Sequence, residues 1–282
     1  MPFSHGADEP DFTTDFQLRR QALQSYTLVD NMLLFAKTRW LQEKVSRLHN
    51  VEVELMRAAV NLTEFAVAYD RYGTPLSKRA AIHVVAMIRP STERRNPRLT
   101  LKALKALNSQ FGPGITISTF GCSDEEMREL TLENQPASVE LTPENQPAVR
   151  GAASFLHHRG VLSRSQVAEL FAHADVFIDA SKWQAFGRTG LEAMAAGCVP
   201  VLPSGSGASE YARGGENAVL VNTAKLDEVV RAAASLVRDR NFLERLRVEA
   251  LKTAGQYGIE QASAVMLALL CRSIDGPKPT PC

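Results

Sequence analysis

The residues best placed to do chemistry lie in a glycine-containing loop between a short apolar run, Val176–Ile178, and a stretch of good helix formers at 189–196. The loop brings backbone N–H groups around Gly187 to the N-terminus of the predicted helix. Unpaired amide donors and the helix dipole both favour an anion such as a phosphate there. Glu192 lies one turn further on, where its carboxylate could accept hydrogen bonds from the hydroxyls of a sugar or ribose attached to that phosphate. The spacing of Arg188 and Glu192 also fits a surface ion pair without any ligand.

A second group of polar residues follows an earlier strand. Residues 82–88 form a continuous apolar run, as in a strand buried on both faces, and the run ends in the segment RPSTERRNPR. We expect the arginines of this segment to gather at the carboxyl end of the strand, the edge where open parallel sheets bind ligands. They are Arg89, Arg94, Arg95 and Arg98. A solvated basic surface would have the same composition, so the segment by itself leaves both interpretations open.

The segment QAFGRTGLEAMAAG resembles the donor-binding signature of GT-B glycosyltransferases, in particular the large retaining family 4. That signature has two glutamates separated by seven residues, with Phe-Gly after the first and Glu-Ala-Met-Ala-x-Gly at the second. The residues that match it are Phe186, Gly187, Glu192, Ala193, Met194, Ala195 and Gly197. The departure is Gln184, which occupies the place of the first glutamate, keeping the ability to hydrogen-bond to a donor sugar but losing the charge.

The resemblance implies a role for each residue of the site. Arg89 matches an arginine of the family, and Arg94 stands where the family has a lysine, both directed at the nucleotide diphosphate. Arginine offers bidentate hydrogen bonds where lysine offers a point charge. These two arginines, Gln184 and Glu192 form the predicted catalytic set, in which Glu192 binds the ribose and Gln184 positions the sugar. The predicted donor-binding residues are Phe186, Gly187, Arg188, Thr189, Ser206 and Gly207.

Strands that alternate with helices predict an α/β fold with a doubly wound, Rossmann-like parallel sheet, independently of the family resemblance. We expect a GT-B donor domain at residues 75–282, ending in a helix that crosses back to the N-terminal domain. Residues 1–74 are expected to form a partial N-terminal, acceptor-side α/β segment and linker, because a whole GT-B enzyme carries much more sequence before this point. Within that segment we expect a loose arm up to about residue 23 and linker sequence at 61–65.

Composition argues against several other classes of protein. A net charge of +1 over 282 residues gives no general attraction to nucleic acid or to an anionic membrane. No GxGxxG follows an early strand, which disfavours a dehydrogenase, and no Asp-x-Asp is present, so neither a metal nor another cofactor is expected. Neighbouring His157 and His158 would point to opposite faces of a strand, which argues against a shared metal. The cysteines lack disulfide spacing, and no apolar stretch approaches the roughly twenty residues of a membrane span, so we expect a cytoplasmic protein.

The sequence therefore favours a retaining, metal-independent glycosyltransferase that moves a sugar from a nucleotide diphosphate sugar to a carbohydrate or glycolipid acceptor, in polysaccharide or glycoconjugate synthesis. Arg89 and Arg94 would stabilise the charge on the leaving diphosphate. The alternative is a nucleotide-sugar-binding module that lacks catalysis of its own, or that relies on a partner or on self-association for the acceptor side. The short N-terminal part and Gln184 motivate this alternative. Peripheral association with a membrane is compatible with either function, and a purely structural protein is a third alternative.

Overall fold

The chain folds as two parallel sheets with helices around them. The computed structural model describes residues 3–5, 10, 13, 15–29, 32–56, 58, 61–134 and 155–274. The predicted α/β class is confirmed. Within the described ranges, no helix combines the length and the apolar character that crossing a membrane requires.

The first part of the chain forms a small parallel sheet with two helices. Its strands, in the order in which they pair, are β1 (Phe3–His5), β2 (Leu34–Ala36) and β3 (Glu54–Leu55), and its helices are α1 (Phe16–Ser25) and α2 (Arg39–His49). Helix α2 begins after Thr38, whose hydroxyl accepts a hydrogen bond from the N–H of Leu41. Leu41 and Val45 are buried on its inner face, which fixes α2 against the small sheet.

Two helices occupy segments for which the sequence predicts irregular structure. The prediction of a loose arm is wrong for α1, which begins at Phe16 because the Asp15 carboxylate accepts a hydrogen bond from the N–H of Leu18 (2.9 Å) and caps the helix. Helix α3 (Thr63–Tyr72) begins within the expected linker. Its buried Phe65 lies 6.5 Å from the ring of Phe171, so α3 packs directly onto the larger part of the molecule.

The larger sheet has six parallel strands. In chain order they are β4 (Ile82–Met87), β5 (Ile115–Phe120), β6 (His157–His158), β7 (Val176–Ile178), β8 (Val199–Pro203) and β9 (Val219–Val221). Their order in the sheet is β6-β5-β4-β7-β8-β9, so the direction of winding reverses between β4 and β7. Such a reversal leaves a crevice at the carboxyl ends of the two central strands, where open α/β sheets bind ligands. The order confirms the predicted doubly wound, Rossmann-like sheet.

Helices cover both faces of this sheet. They are α4 (Pro97–Phe111), α5 (Asp124–Glu133), α6 (Arg164–Ala172), α7 (Arg188–Ala195), α8 (Leu226–Arg238) and α9 (Arg240–Ala254). Val84 of β4 belongs to a core cluster with α4 and α8, whereas Val85 belongs to a second cluster with α6 and α7. Consecutive strand residues point to opposite faces, so one apolar run supplies both cores. A final helix, α10 (Ile259–Ile274), packs Leu269 against Phe35 of the small sheet.

Candidate functional site

Two loops meet at the crevice between β4 and β7. The loop after β4 runs over residues 88–96, and the loop after β7 over residues 179–187. The N–H of Lys182 donates to the carbonyl of Arg94 (2.8 Å), and the Lys182 ammonium lies 2.6 Å from the carboxylate of Glu93. The two loops are therefore joined at the place where the sequence predicts the phosphate-binding arginines.

Arg89 and Arg94 supply positive charge to this crevice. Arg89 is exposed, while the guanidinium of the half-buried Arg94 lies over the ring of Trp183, 5.1 Å from its centroid. Burial lowers the pKa of Arg94; the charge of Asp179 opposes this effect and the charge of Arg89 adds to it. Because a guanidinium stays protonated in proteins, the loop holds neighbouring positive charges that a bound anion would stabilise.

The other two arginines of the segment take different directions. Arg95 is mostly buried, and its Nη1 lies 3.7 Å from Oδ2 of Asp179. Arg98 lies in the first turn of α4 and donates to Glu133 on α5 (2.7 Å). The prediction that all four arginines gather is therefore wrong for Arg98, because the helix that begins at Pro97 carries this side chain towards its neighbouring helix.

The N-terminus of α7 is open. Its N-cap, Gly187, has a left-handed backbone (φ +79°) and no side chain to cap the helix. Within the described part of the chain, the N–H groups of Arg188 and Thr189 donate to no protein acceptor. Tyr211 holds this turn from the protein interior, since its buried hydroxyl donates to the carbonyl of Gly187 (2.6 Å). A Cβ at Gly190 would lie 2.6 Å from that same hydroxyl oxygen, so the turn accepts only glycine there.

Glu192 lies one turn into α7, near charged residues of α7 itself and of two other helices, α3 and α6. Its Oε1 is 3.8 Å from Nε of Arg188 and 3.9 Å from Nη2 of Arg164 on α6. Burial raises the pKa of Glu192, both arginines lower it, and Glu64 on α3 raises it further. The surface ion pair with Arg188 is thus present, but its exposed arginine makes that pair weak. The ribose-binding role of Glu192 stays a prediction.

Gln184 belongs to the loop after β7, and its side chain is buried. Its Nε2 donates to Oδ2 of Asp179 (2.6 Å) and to the hydroxyl of Ser181 (2.9 Å). Asp179 was not singled out from the sequence, although an acidic residue directly after a buried strand stands at the ligand-binding edge of a parallel sheet. That position is the only signal in the sequence that points to it, because the contact with Gln184 depends on the path of the loop.

The other predicted donor-binding residues form the inner support of the site. Phe186 is buried, with its ring 5.3 Å from that of Tyr211. The buried hydroxyl of Ser206 donates to the carbonyl of Pro203 (3.2 Å). The N–H of Gly207 donates to the carbonyl of Gln184 (2.7 Å). These three residues are therefore packed on the inner side of the site, next to the start of α7. Their direct contact with a donor stays a prediction.

Helix α2 of the small sheet borders the same loop. The hydroxyl of Thr38 donates to the carbonyl of Ala185 (3.0 Å), and the N–H of Arg39 donates to the carboxylate of Glu210 (2.9 Å). The rings of Trp40 and Trp183 stack with centroids 6.2 Å apart. The candidate site is consequently bordered by both parts of the chain.

His158 of β6 is held by protein partners. Nδ1 of His158 lies 3.0 Å from the hydroxyl of Thr119, and its Nε2 lies 3.1 Å from the carbonyl of Cys122, so both ring nitrogens have protein partners. Among the described side chains, no group of three or more His, Cys, Asp and Glu residues could hold a metal ion. Burial, helped by two nearby carboxylates, raises the pKa of Cys122 to about 11, which leaves its thiol protonated near neutral pH.

A parallel sheet wound in this order, with arginines after one central strand and an open helix N-terminus after the other, defines an α/β domain of the GT-B type. The comparison with known families narrows the class. Residues 83–253, more than half of the chain, match the family model described as glycosyl transferases group 1. The chain belongs to that family, as the signature around Glu192 predicts.

Solved structures share the fold at low sequence identity. Anabaena Alr3699/HepE in complex with UDP and glucose superposes with a TM-score of 0.71 at 15% identity, covering 95% of this chain and 70% of that one. WaaG, a glycosyltransferase involved in lipopolysaccharide biosynthesis, gives a TM-score of 0.70 at 13% identity, covering 94% and 69%. The lipopolysaccharide core biosynthesis mannosyltransferase LpsB of Rhizobium meliloti is 33% identical over 109 residues, which cover 37% of this chain and 31% of LpsB. The matched segment thus spans less than a third of the length of that relative.

Proposed function

We propose that the chain binds a nucleotide diphosphate sugar in the crevice between β4 and β7 and transfers its sugar to a carbohydrate or glycolipid acceptor. The observation that carries the proposal is the charge arrangement at the crevice. Arg89 and Arg94 place neighbouring positive charges after β4, and Arg188 and Thr189 present unpaired N–H groups at the start of α7. Both features favour a diphosphate, one by charge and one by hydrogen bonding.

Each group has a part in the proposed reaction. Negative charge grows on the diphosphate as the bond to the sugar breaks, so the two arginines and the α7 amides stabilise the transition state more than the bound donor. Glu192, mostly buried and next to Arg188, accepts hydrogen bonds from the ribose hydroxyls. Gln184 and the turn at Ser206 and Gly207 hold the loop against which the sugar lies.

The finer features of the proposal come from the family resemblance and from composition. They are transfer with retention of the anomeric configuration, independence from metal ions and other cofactors, and a cytoplasmic location. The relatives supply first candidates for the substrates. HepE is described in complex with UDP and glucose, and both WaaG and LpsB are named for lipopolysaccharide biosynthesis. A uridine nucleotide and a glycolipid acceptor at a membrane surface are therefore the first pair to test.

Calorimetric titration with UDP, GDP, ADP and dTDP tests the donor site. Arg89→Ala should weaken binding of the preferred nucleotide about 10- to 100-fold, because charge-assisted hydrogen bonds are worth about 1.5–3 kcal/mol. Arg98→Ala is the matched control: it removes the same charge from the same segment, but its side chain bonds to Glu133 instead of facing the crevice. We expect this control to change affinity less than about threefold.

Three results would each contradict a different part of the proposal. Failure of the folded protein to bind any of the four nucleotides would remove the donor site altogether. Nucleotide binding without transfer or hydrolysis of the matching sugar donor would limit the function to donor binding. Equal loss of affinity in Arg89→Ala and Arg98→Ala would show that the segment acts only through its overall charge.

A further inference from the structure

The carboxylate of Asp179 lies against the very residue in which the chain departs from its family. Gln184 stands where the signature has its first glutamate, and its Nε2 lies 2.6 Å from Oδ2 of Asp179. Both side chains are buried. The site therefore keeps one carboxylate at this point of the fold, but the carboxylate comes from the residue after β7, and Gln184 supplies the amide that donates to it.

Asp179 has a full set of partners. Its Oδ1 accepts hydrogen bonds from the N–H of Ser181 (3.0 Å) and from the Ser181 hydroxyl. Its Oδ2 accepts the bond from Gln184 and lies 3.7 Å from Nη1 of Arg95. Within the described residues, Nε and Nη1 of Arg95 are buried without a hydrogen-bond partner. The carboxylate of Asp179 is thus the negative charge that lies against the buried guanidinium of Arg95.

Two further groups face Asp179 from neighbouring elements. Burial lowers the pKa of Arg94, and the charge of Asp179 raises it. Burial raises the pKa of Tyr211, in the turn after β8, and the charge of Asp179 adds to that rise. A second carboxylate at position 184 would stand against Asp179, and two acids in such contact cannot both ionise. The neutral amide of Gln184 avoids this conflict.

The loop that this hydrogen bond holds leads straight to the open N-terminus of α7. The carbonyl of Gln184 accepts the N–H of Gly207 (2.7 Å), and the carbonyl of Ala185 accepts the hydroxyl of Thr38 (3.0 Å). Gly187, two residues further on, is the N-cap of α7. A change in the position of the Gln184 side chain would therefore be transmitted to the amides proposed to bind phosphate.

We propose that Asp179 is a positioning residue that carries the charge which the family places at position 184, and that acid and amide can exchange places across their hydrogen bond. Asp179 acts through Gln184 and Arg95, not through contact with the donor. The expected effect of Asp179 on sugar transfer rests on the proposed function. The exchange itself is a property of the fold and can be measured without any ligand.

The test is a set of three variants: Gln184→Glu, Asp179→Asn, and the exchange Asp179→Asn/Gln184→Glu. In Gln184→Glu the two carboxylates share a proton, so its Tm should fall below that of the wild type by roughly 5 °C at about pH 8 and approach it at about pH 5. The exchange variant should recover most of that Tm and lose the extra pH dependence. The matched control is Gln166→Glu, a change of the same kind in the capping box of α6, where a carboxylate satisfies the N–H of Ser163 equally well.

Transfer and nucleotide affinity are then measured on the same proteins. We expect kcat/KM of Gln184→Glu to fall at least about tenfold between pH 5 and pH 8 relative to the wild type, and the exchange variant to lose this additional pH dependence. The inference is overturned if the exchange variant is no more stable than the worse single variant, or if Gln184→Glu shows the pH dependence of Gln166→Glu. Absence of nucleotide binding in the wild type would instead refute the proposed function, and the Tm measurements would still decide the exchange.

Discussion

Gly207 offers a quantitative test of how the loops of the site fit together. A Cβ at this position would lie 1.7 Å from the carbonyl oxygen of Ala185 and 2.8 Å from that of Gln184. Both are backbone atoms, so no side chain can rotate away, and the turn at Ser206 would have to move from the loop after β7. That movement would also break the hydrogen bond from the N–H of Gly207 to Gln184 (2.7 Å).

The expected cost of Gly207→Ala follows from these two losses. Overpacking against rigid backbone lowers the free energy of unfolding by about 2–3 kcal/mol, and the lost hydrogen bond adds about 1 kcal/mol, giving about 3–4 kcal/mol. Gly205→Ala is the control in the same turn. Its Cβ would meet nothing within 4 Å, and only its left-handed backbone (φ +64°) disfavours alanine, at about 1–2 kcal/mol.

Urea unfolding followed by tryptophan fluorescence is the assay for both variants. It suits this question because Trp40 and Trp183, which stack at a centroid distance of 6.2 Å, are the only tryptophans of the chain and border the affected loop. Nucleotide titration of the folded variants completes the test, and Gly207→Ala should bind more weakly than Gly205→Ala. Equal stability of the two variants would refute the close approach of Gly207 to Ala185 on which the reasoning depends.

Three further variants test other parts of the structure. Arg247→Met should lower the free energy of unfolding in urea by about 3 kcal/mol, because it removes the 2.7 Å partner of the buried Asp175 carboxylate while a second arginine remains at 3.2 Å; a loss below about 1 kcal/mol would contradict this. Tyr211→Phe should cost about 1–3 kcal/mol in the same assay and weaken nucleotide binding, since the carbonyl of Gly187 loses a buried donor. Burial raises the pKa of Glu192, so its contribution to stability is complete below the ordinary pKa of a glutamate and is lost as pH rises through the raised value. Glu192→Gln should therefore gain Tm relative to the wild type between about pH 4 and about pH 7, while its nucleotide affinity falls; a constant difference in Tm would contradict the shift.

The larger sheet could be predicted because its strands are buried on both faces. The apolar runs at 82–88 and 176–178 cover nearly the same residues as β4 and β7. A strand that is buried on both faces of a sheet needs such a continuous apolar run. The places where they end then locate the arginine loop and the turn proposed to bind phosphate, since parallel strands share one carboxyl edge. Helix α1 was not predictable in the same way: none of its residues is buried, so no apolar periodicity marks it.

The supporting half of the site depended on contacts that local sequence does not encode. Tyr211 lies 24 residues after Gly187, and nothing in its own segment indicates that its hydroxyl reaches that carbonyl. Asp179 and Gln184 are closer in sequence, but their hydrogen bond depends on a loop that turns back on itself. Motif reasoning gives the types of residues that could meet a donor, whereas the burial of Phe186 and Ser206 shows which of them the fold uses to support that surface.

The contacts of α2 give the small sheet a direct part in the proposed donor site. A helix N-terminus has N–H groups without helical partners, and at α2 one of these, from Arg39, is satisfied by the carboxylate of Glu210 from the turn after β8. The N-cap of the same helix, Thr38, donates to the carbonyl of Ala185 in the loop after β7. One helix end therefore holds two loops of the larger sheet in register with each other. Because those loops lead to Gly187 and contain Gly207, a shift of the small sheet would change the proposed donor site even without any change in the residues proposed to contact the donor.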